Sequence, residues 1–204
     1  MTEQQPYTVV GNSDGFELRR YPEHLVAEVI TTGSFEDAGN RAFRYLFAYI
    51  SGENSVRQKV AMTAPVVQAG ASTKIAMTAP VVQETLGGKQ GDREVEGTFR
   101  VAFVLPAGFT IETAPQPTGR EVRLRSVPGS LTAAARYRGR WDEAGYARHL
   151  EMLRASIVAS GRAATGEPRF ARFDPPFMPS FLRRNEVMLD VVPTEAEAEA
   201  ETRP

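Results

Sequence analysis

Residues 16–50 lie over residues 122–156 at a constant offset of 106 without a gap, and this internal match constrains the fold more than any other feature of the chain. Eight of the 35 positions are identical: Leu18/Leu124, Arg19/Arg125, Pro22/Pro128, Leu25/Leu131, Ala27/Ala133, Gly33/Gly139, Ala38/Ala144 and Gly39/Gly145. Phe35/Trp141, Glu36/Asp142 and Asp37/Glu143 are conservative pairs. Each copy carries the same signals in the same order. An alternating apolar–polar run, 16–21 or 122–127, reads as a half-buried strand. Pro22 or Pro128 breaks it into a turn. A second strand follows over 25–32 or 131–138, Gly33 or Gly139 ends it, and a helix begins near Phe35 or Trp141. The shared order points to a duplicated unit.

The first helix carries Phe43, Leu46, Phe47 and Ile50 at the i, i+3, i+4, i+7 spacing of a core-facing stripe. The second places His149, Met152, Leu153 and Ile157 on the equivalent face. Further strands are expected at 59–67, 74–83, 99–105, 168–173 and 186–192. Strands and helices do not alternate one for one, which argues against a parallel doubly wound sheet. The pattern predicts an α+β fold, a mostly antiparallel, curled sheet carrying two helices.

A chain of 204 residues suits a single domain, and the absence of cysteine excludes disulfides, thiolate metal sites and a cysteine nucleophile. The net charge is −1 with the signs interspersed, so no basic stripe offers a footprint for nucleic acid. No apolar run approaches the ~20 residues that span a bilayer, and the polar start lacks the order of a signal peptide. A cytoplasmic protein without a membrane partner is expected. Residues 1–6 and the alternating Glu-Ala run within 193–204 read as disordered ends around a domain of 7–192.

The decapeptide Lys-Val-Ala-Met-Thr-Ala-Pro-Val-Val-Gln at 59–68 recurs at 74–83 with a single change, Val60 to Ile75. The connector 69–73 reads as a hairpin turn that lays the two copies side by side. Proline cannot donate to a sheet ladder, so Pro65 and Pro80 mark edges or bends. Met62 and Met77 then either line a cavity mouth or fill an ordinary core. This string resembles the signature of the SOUL haem-binding family. Glu17-Leu-Arg-Arg-Tyr21, Phe173-Asp-Pro-Pro176 and Arg183-Arg-Asn-Glu-Val187 are similar to further family motifs, in family order, so that the resemblance covers about 7–192.

The resemblance implies a distorted antiparallel β-barrel-like sheet with two helices, built from a duplicated β-α-β-β unit. It also implies a haem or porphyrin pocket between the first helix and the loop near Phe173. Carried over by position, that pocket involves Asn40, Phe43, Phe47, Ala48, Phe177 and Met178. The chain departs from the family where some members have basic residues, at Asn40, Ala48 and Met178. It has Arg20 where another type has a candidate axial histidine.

Haem needs a flat apolar slot, commonly an axial ligand, and cations for two carboxylates. Phe43, Phe47, Phe173, Phe177 and Met178 are candidates for the slot, or for core packing. Arg41 and Arg44 flank the helix face, and Arg183 and Arg184 lie near the loop. The arginine fork suits a carboxylate, although solvation is the alternative for each. His149 is either a core histidine or an iron ligand; Met62, Met77 and Met178 are the thioether candidates. No nucleophile elbow, phosphate loop or His-Glu-x-x-His is present. The sequence therefore predicts a binding protein rather than an enzyme, one that holds haem or another tetrapyrrole in an apolar groove as a carrier or buffer. The alternatives are an effector-binding module for another flat apolar ligand, a tetrapyrrole-modifying enzyme, or a groove that grips a protein segment.

Overall fold

The structure, a computed structural model, describes residues 5–56, 78–85, 97–174, 178–194 and 197, with the backbone alone for Glu36 and 78–85. The elements run β1 (Thr8–Ser13), β2 (Phe16–Tyr21), β3 (His24–Gly33), α1 (Phe35–Ile50), β4 (Thr78–Thr85), β5 (Gly97–Val104), β6 (Val122–Val127), β7 (Ser130–Arg138), α2 (Glu143–Ala159), β8 (Ala164–Arg172) and β9 (Arg184–Val191). A 3-10 turn, Ser180–Leu182, precedes β9. The strands form an antiparallel sheet in the order β1-β2-β7-β9-β8-β4-β5-β3-β6. Among the described residues it does not close into a barrel, because β1 and β6 stand as two edges. The expected strand at 59–67 and the hairpin turn at 69–73 lie outside the described residues. The second decapeptide copy is described from Thr78, and Thr78–Gln83 lies in β4.

The segments 16–50 and 122–156 both run strand, strand, helix. β2 pairs with β7 and β6 with β3, so each first strand joins the other segment's second strand. Gly33 and Gly139 both sit at positive φ, 142° and 147°, which side-chain-bearing residues rarely adopt. Ser34 Oγ accepts from Asp37 N to cap α1, and Asp142 Oδ1 accepts from Gly145 N at 2.6 Å to cap α2.

Both helices pack on one face of the sheet. α1 buries Ala42, Leu46, Tyr49 and Ile50 against Leu25, Ala27, Val29, Val101 and Phe103. α2 buries Tyr146, Leu150, Leu153 and Ile157 against Phe16, Leu18, Leu131, Ala133, Val187 and Leu189. Each fully buried leucine contributes roughly 1.5–3 kcal/mol. Phe35, the first residue of α1, packs with the second helix's core, stacked on Tyr146 at 5.3 Å and tilted against Phe170 of β8 at 5.4 Å. The core stripe of α1 differs from the expected one. Ala42 and Tyr49 carry it with Leu46 and Ile50, leaving Phe43 at its border and Phe47 49% exposed. Met152 of α2 is likewise 60% exposed. Small and amphipathic residues take the face nearest the sheet, which apolar periodicity alone does not single out. β1 was not expected: its edge residues Val9 and Val10 are exposed and lack alternating burial.

Candidate functional site

A groove of about 350 Å³ lies on the helix side, between the start of α1 and the segments flanking α2 and β9. Asn40 of α1 forms one wall, and Arg140, Trp141 and Asp142 the other. Arg172, Ser180 and Arg183 complete the lining. Trp141 sits between two guanidinium groups, Arg183 at 4.3 Å and Arg172 at 5.2 Å from its ring centre. Arg172 also lies 5.2 Å from the Phe170 ring and 5.7 Å from Phe35. These cation–π contacts hold the guanidinium groups beside an apolar plane. Arg183 Nε donates to Met178 O at 2.8 Å, which anchors the loop.

Gly39 lets Arg172 reach this place. A Cβ at Gly39 would come within 2.5 Å of Arg172 Nη1, so the helix accepts a glycine where alanine is intrinsically better by about 1 kcal/mol. Trp141 Nε1 is buried with no hydrogen-bond partner among the described residues, a donor left for an acceptor in the groove. Arg140, Arg172 and Arg183 thus line the groove together with Asp142, whose Oδ1 caps α2, beside the apolar plane of Trp141.

The structure brings Asn40 into this groove and places Phe43 and Phe47 farther along α1, with their rings stacked at 5.7 Å. Asn40 to Phe47 spans two turns, about 10 Å. Phe43 also meets Phe103 edge-on at 5.5 Å. Ala48 is half-buried and Arg44 exposed, and Arg41 Nη1 donates to Thr32 O at 2.8 Å. Met178 is half-buried on the loop. Phe173 is not in the groove: it packs on the other face of the sheet with Tyr21, Ala134, Ala171 and Met188, beneath Arg184. Side chains alternate along a strand, and Phe173 follows the side of Ala171. His149 stacks flat on Tyr137 at 3.8 Å, and its Nδ1 donates to Gly145 O at 2.7 Å. Met62, Met77 and Phe177 lie outside the described residues.

Arg140, Trp141, Arg172 and Ser180 escaped sequence reasoning. Two signals were available: the chain's single tryptophan stands where the repeat match puts Phe35, and Arg172 directly precedes the Phe173-Asp-Pro-Pro motif.

Several motif residues prove structural. Arg19 reaches across β7 to Glu186 of β9 with two bonds, 2.6 and 3.0 Å, and donates twice to Glu17. Burial opposes the Arg19 charge, but its bonds to Glu186 and Tyr21 outweigh this and raise its pKa. Asp174 Oδ2 accepts from Arg184 N and so pins the start of β9.

The family model described as "SOUL heme-binding protein" matches residues 2–72 and 68–190. The chain belongs to the SOUL haem-binding protein family. Each matched stretch contains one copy of the decapeptide. Within the SOUL proteins, the chain is 26% identical over 180 residues to Heme-binding protein 1 of Xenopus tropicalis, covering 87% of this chain and 85% of that protein. It is 24% identical to Heme-binding protein 1 of Mus musculus, covering 78% and 75%. In fold it is similar to the C-terminal domain of EcmrR, with a TM-score of 0.61, 11% identity, and coverage of 92% of this chain and 99% of that one. That likeness concerns the fold alone. Among the described residues no helix is long and apolar enough to cross a membrane.

Proposed function

We propose that this protein binds haem or a related tetrapyrrole in the groove beside Trp141, as a carrier or buffer in the cytoplasm. Family membership supports tetrapyrrole binding, and the observation that carries the site is Trp141 held between Arg172 and Arg183. Such a lining suits a planar ring bearing carboxylates. Arg140, Arg172 and Arg183 would receive the propionates, and the arginine fork can bond both oxygens of each. The Phe43–Phe47 pair would extend the apolar wall along α1. Among the described residues the lining contains no histidine, methionine or tyrosine. Haem would supply its own iron chemistry when bound, while the chain's residues hold the ring and its acids. The binding domain is 7–192, and its two strand–strand–helix segments derive from an internal duplication, a reading supported by the reciprocal pairing of β2 with β7 and β6 with β3.

Titration of the purified protein with hemin and with iron-free protoporphyrin, followed by absorbance, tests this. Both should saturate one-to-one with affinities within about tenfold of each other, and Trp141→Ala should weaken both by about tenfold or more. Failure of both to saturate would refute the reading.

A further inference from the structure

Two arginines of β8 serve opposite faces of the sheet. Arg172 faces the helices, and Arg169 lines a cavity of about 150 Å³ on the other face together with Arg100 and Arg125. The strand beside β8 here is β4, which holds Thr78–Gln83 of the second decapeptide copy. In the register Val81 stands opposite Arg172 and Glu84 opposite Arg169. On the other flank Val82 stands opposite Ala102 of β5, and Glu84 opposite Arg100. From Val81 to Glu84 the strand is thus paired on both sides, and a second strand of the same sequence has no free ladder beside it there. Such a strand enters this place only by exchange.

We infer that β4 is an exchangeable strand: the first decapeptide copy, 59–68, can take its slot in place of the second, which gives the chain two arrangements of one sheet. The first copy lies outside the described residues; the slot is described. Thr63-Ala-Pro-Val-Val-Gln68 matches Thr78-Ala-Pro-Val-Val-Gln83 residue for residue. The match includes the Ala-Pro pair at which the ladder with β5 shifts register, a place that tolerates proline's missing N–H. Either copy therefore sets a valine opposite Phe103 and Arg172, a valine opposite Ala102 and Ala171, and a glutamine opposite Val101 and Phe170. A fold is unique when competing arrangements lie far above it in energy, and a tandem copy of a central strand removes most of that gap.

The connections allow the exchange. It moves 15 residues from the connector before the strand to the one after it. The chain between α1 and the strand becomes 51–62 rather than 51–77, and that between the strand and β5 becomes 71–96 rather than 86–96. Closure cost grows slowly with loop length, so the two changes nearly cancel. Each connector length also lies within the family match, since 2–72 holds α1 with the first copy and 68–190 holds the second copy with β5.

Two positions distinguish the arrangements. Exchange puts Ala69 where Glu84 stands opposite Arg100 and Arg169, and Gly70 where Thr85 stands opposite Phe99. Opposite charges across a ladder stabilise it and glycine weakens a strand, so the second copy is the favoured occupant by about tenfold. The exchange thus removes a carboxylate residue from the register position between two arginines of the cavity. It keeps a valine opposite Arg172, so the groove beside Trp141 is common to both arrangements and the inference does not rest on the haem reading.

The absence of native cysteine permits a direct test. Antiparallel partners bring their Cα atoms about 4.5–5.5 Å apart, within the range a disulfide spans. Ala102→Cys is combined with Val82→Cys, with Val67→Cys, or with Ala71→Cys as a control, and disulfide closure in oxidised glutathione is followed by mass spectrometry. The Val82 pair should close fastest, the Val67 pair about tenfold more slowly, and the control at least about tenfold more slowly again. Glu84→Ala should speed the Val67 pair by about threefold and leave the control unchanged. Where the cysteine variants fail to fold, proline decides, because it removes a ladder bond from a central strand. Val82→Pro should lower the thermal midpoint by no more than about 5 °C, since the intact first copy replaces the damaged one. Val67→Pro should leave the midpoint unchanged, and the two together should lower it by about 10 °C or more. The inference is overturned by a Val67 pair that closes no faster than the control, by closure indifferent to Glu84→Ala, or by a Val82→Pro chain as unstable as the double variant.

Discussion

Arg19 and Arg125 occupy the same position of the repeat, yet their surroundings differ. Arg19 is 1% exposed, held by Glu186 and Glu17 and covered by the Tyr7 ring at 4.4 Å. Arg125 is 39% exposed and shares Glu28 with Arg100. The cause lies outside the repeat. β2 is flanked by β1, whose preceding Tyr7 closes over Arg19 and lies tilted against Tyr21 at 5.4 Å. β6, its counterpart in the second segment, is an edge strand. The matching halves thus share their strands and turns, while the added first strand locks one half and leaves the other beside a cavity.

Substitution of the two arginines should break this comparison most strongly. Arg19→Leu leaves the buried Glu186 with only the exposed Arg136, at 3.1 Å, and should cost about 1.5–3 kcal/mol. Arg125→Leu leaves Glu28 with Arg100 and should cost about 1 kcal/mol or less. Urea unfolding midpoints measure the difference, and equal losses would mean that the extra strand does not distinguish the halves.

The two helices allow a second contrast. Phe47 and Met152 are exposed on α1 and α2, and replacing either by alanine should change stability by about 1 kcal/mol or less. Only Phe47→Ala should weaken hemin, by about tenfold or 1.4 kcal/mol, because only α1 borders the groove. An equal loss from Met152→Ala, read by absorbance titration, would move the ring to the other helix.

The smallest effect concerns a second tie on the locked half. Glu197 pairs with Arg162 at 2.8 Å, accepts from Thr194 N and Oγ1, and its carbonyl oxygen accepts from Arg20 Nη2 of β2. The bond from Arg162 brings its carboxyl down to about 2 from the usual 4.5. A depressed carboxyl stabilises fully above the unfolded value and loses that contribution as pH falls through the folded one. The stability difference between the parent and Glu197→Gln should therefore stay constant from neutral pH down to about 5 and vanish near 2, with a size below about 1 kcal/mol. Thermal unfolding across that range checks it. A difference that vanishes already at pH 5 would mean that Arg162 does not hold the carboxylate.

Much of the fold was legible because it depends on local rules. Alternation of apolar and polar residues over 16–21 and 122–127 marks β2 and β6, since successive side chains of a strand point to opposite faces of the sheet. Gly33 and Gly139 could be placed because their backbone angles suit no other residue well. β1 was missed because an exposed edge strand has no buried face to announce it, and Phe47 was misplaced because a helical stripe read from apolarity does not say which border touches the sheet.

The candidate site was legible only in part. Asn40 and Arg183 were named from the motifs, but Trp141 and Arg172 come from the β7–α2 junction and the end of β8, and neither neighbourhood carries a ligand pattern of its own. The sequence by itself determined the class of fold, the paired strand–strand–helix segments and the family. Only the tertiary structure decided that Arg19 would meet Glu186 across 167 residues, that Arg172 would slide under Gly39, and that β8 would present one arginine to each face of the sheet. The physical reason is range. Turns, caps and periodicity are enforced within a few residues, whereas the neighbours of a charged side chain depend on strand order, which many distant pairings settle together.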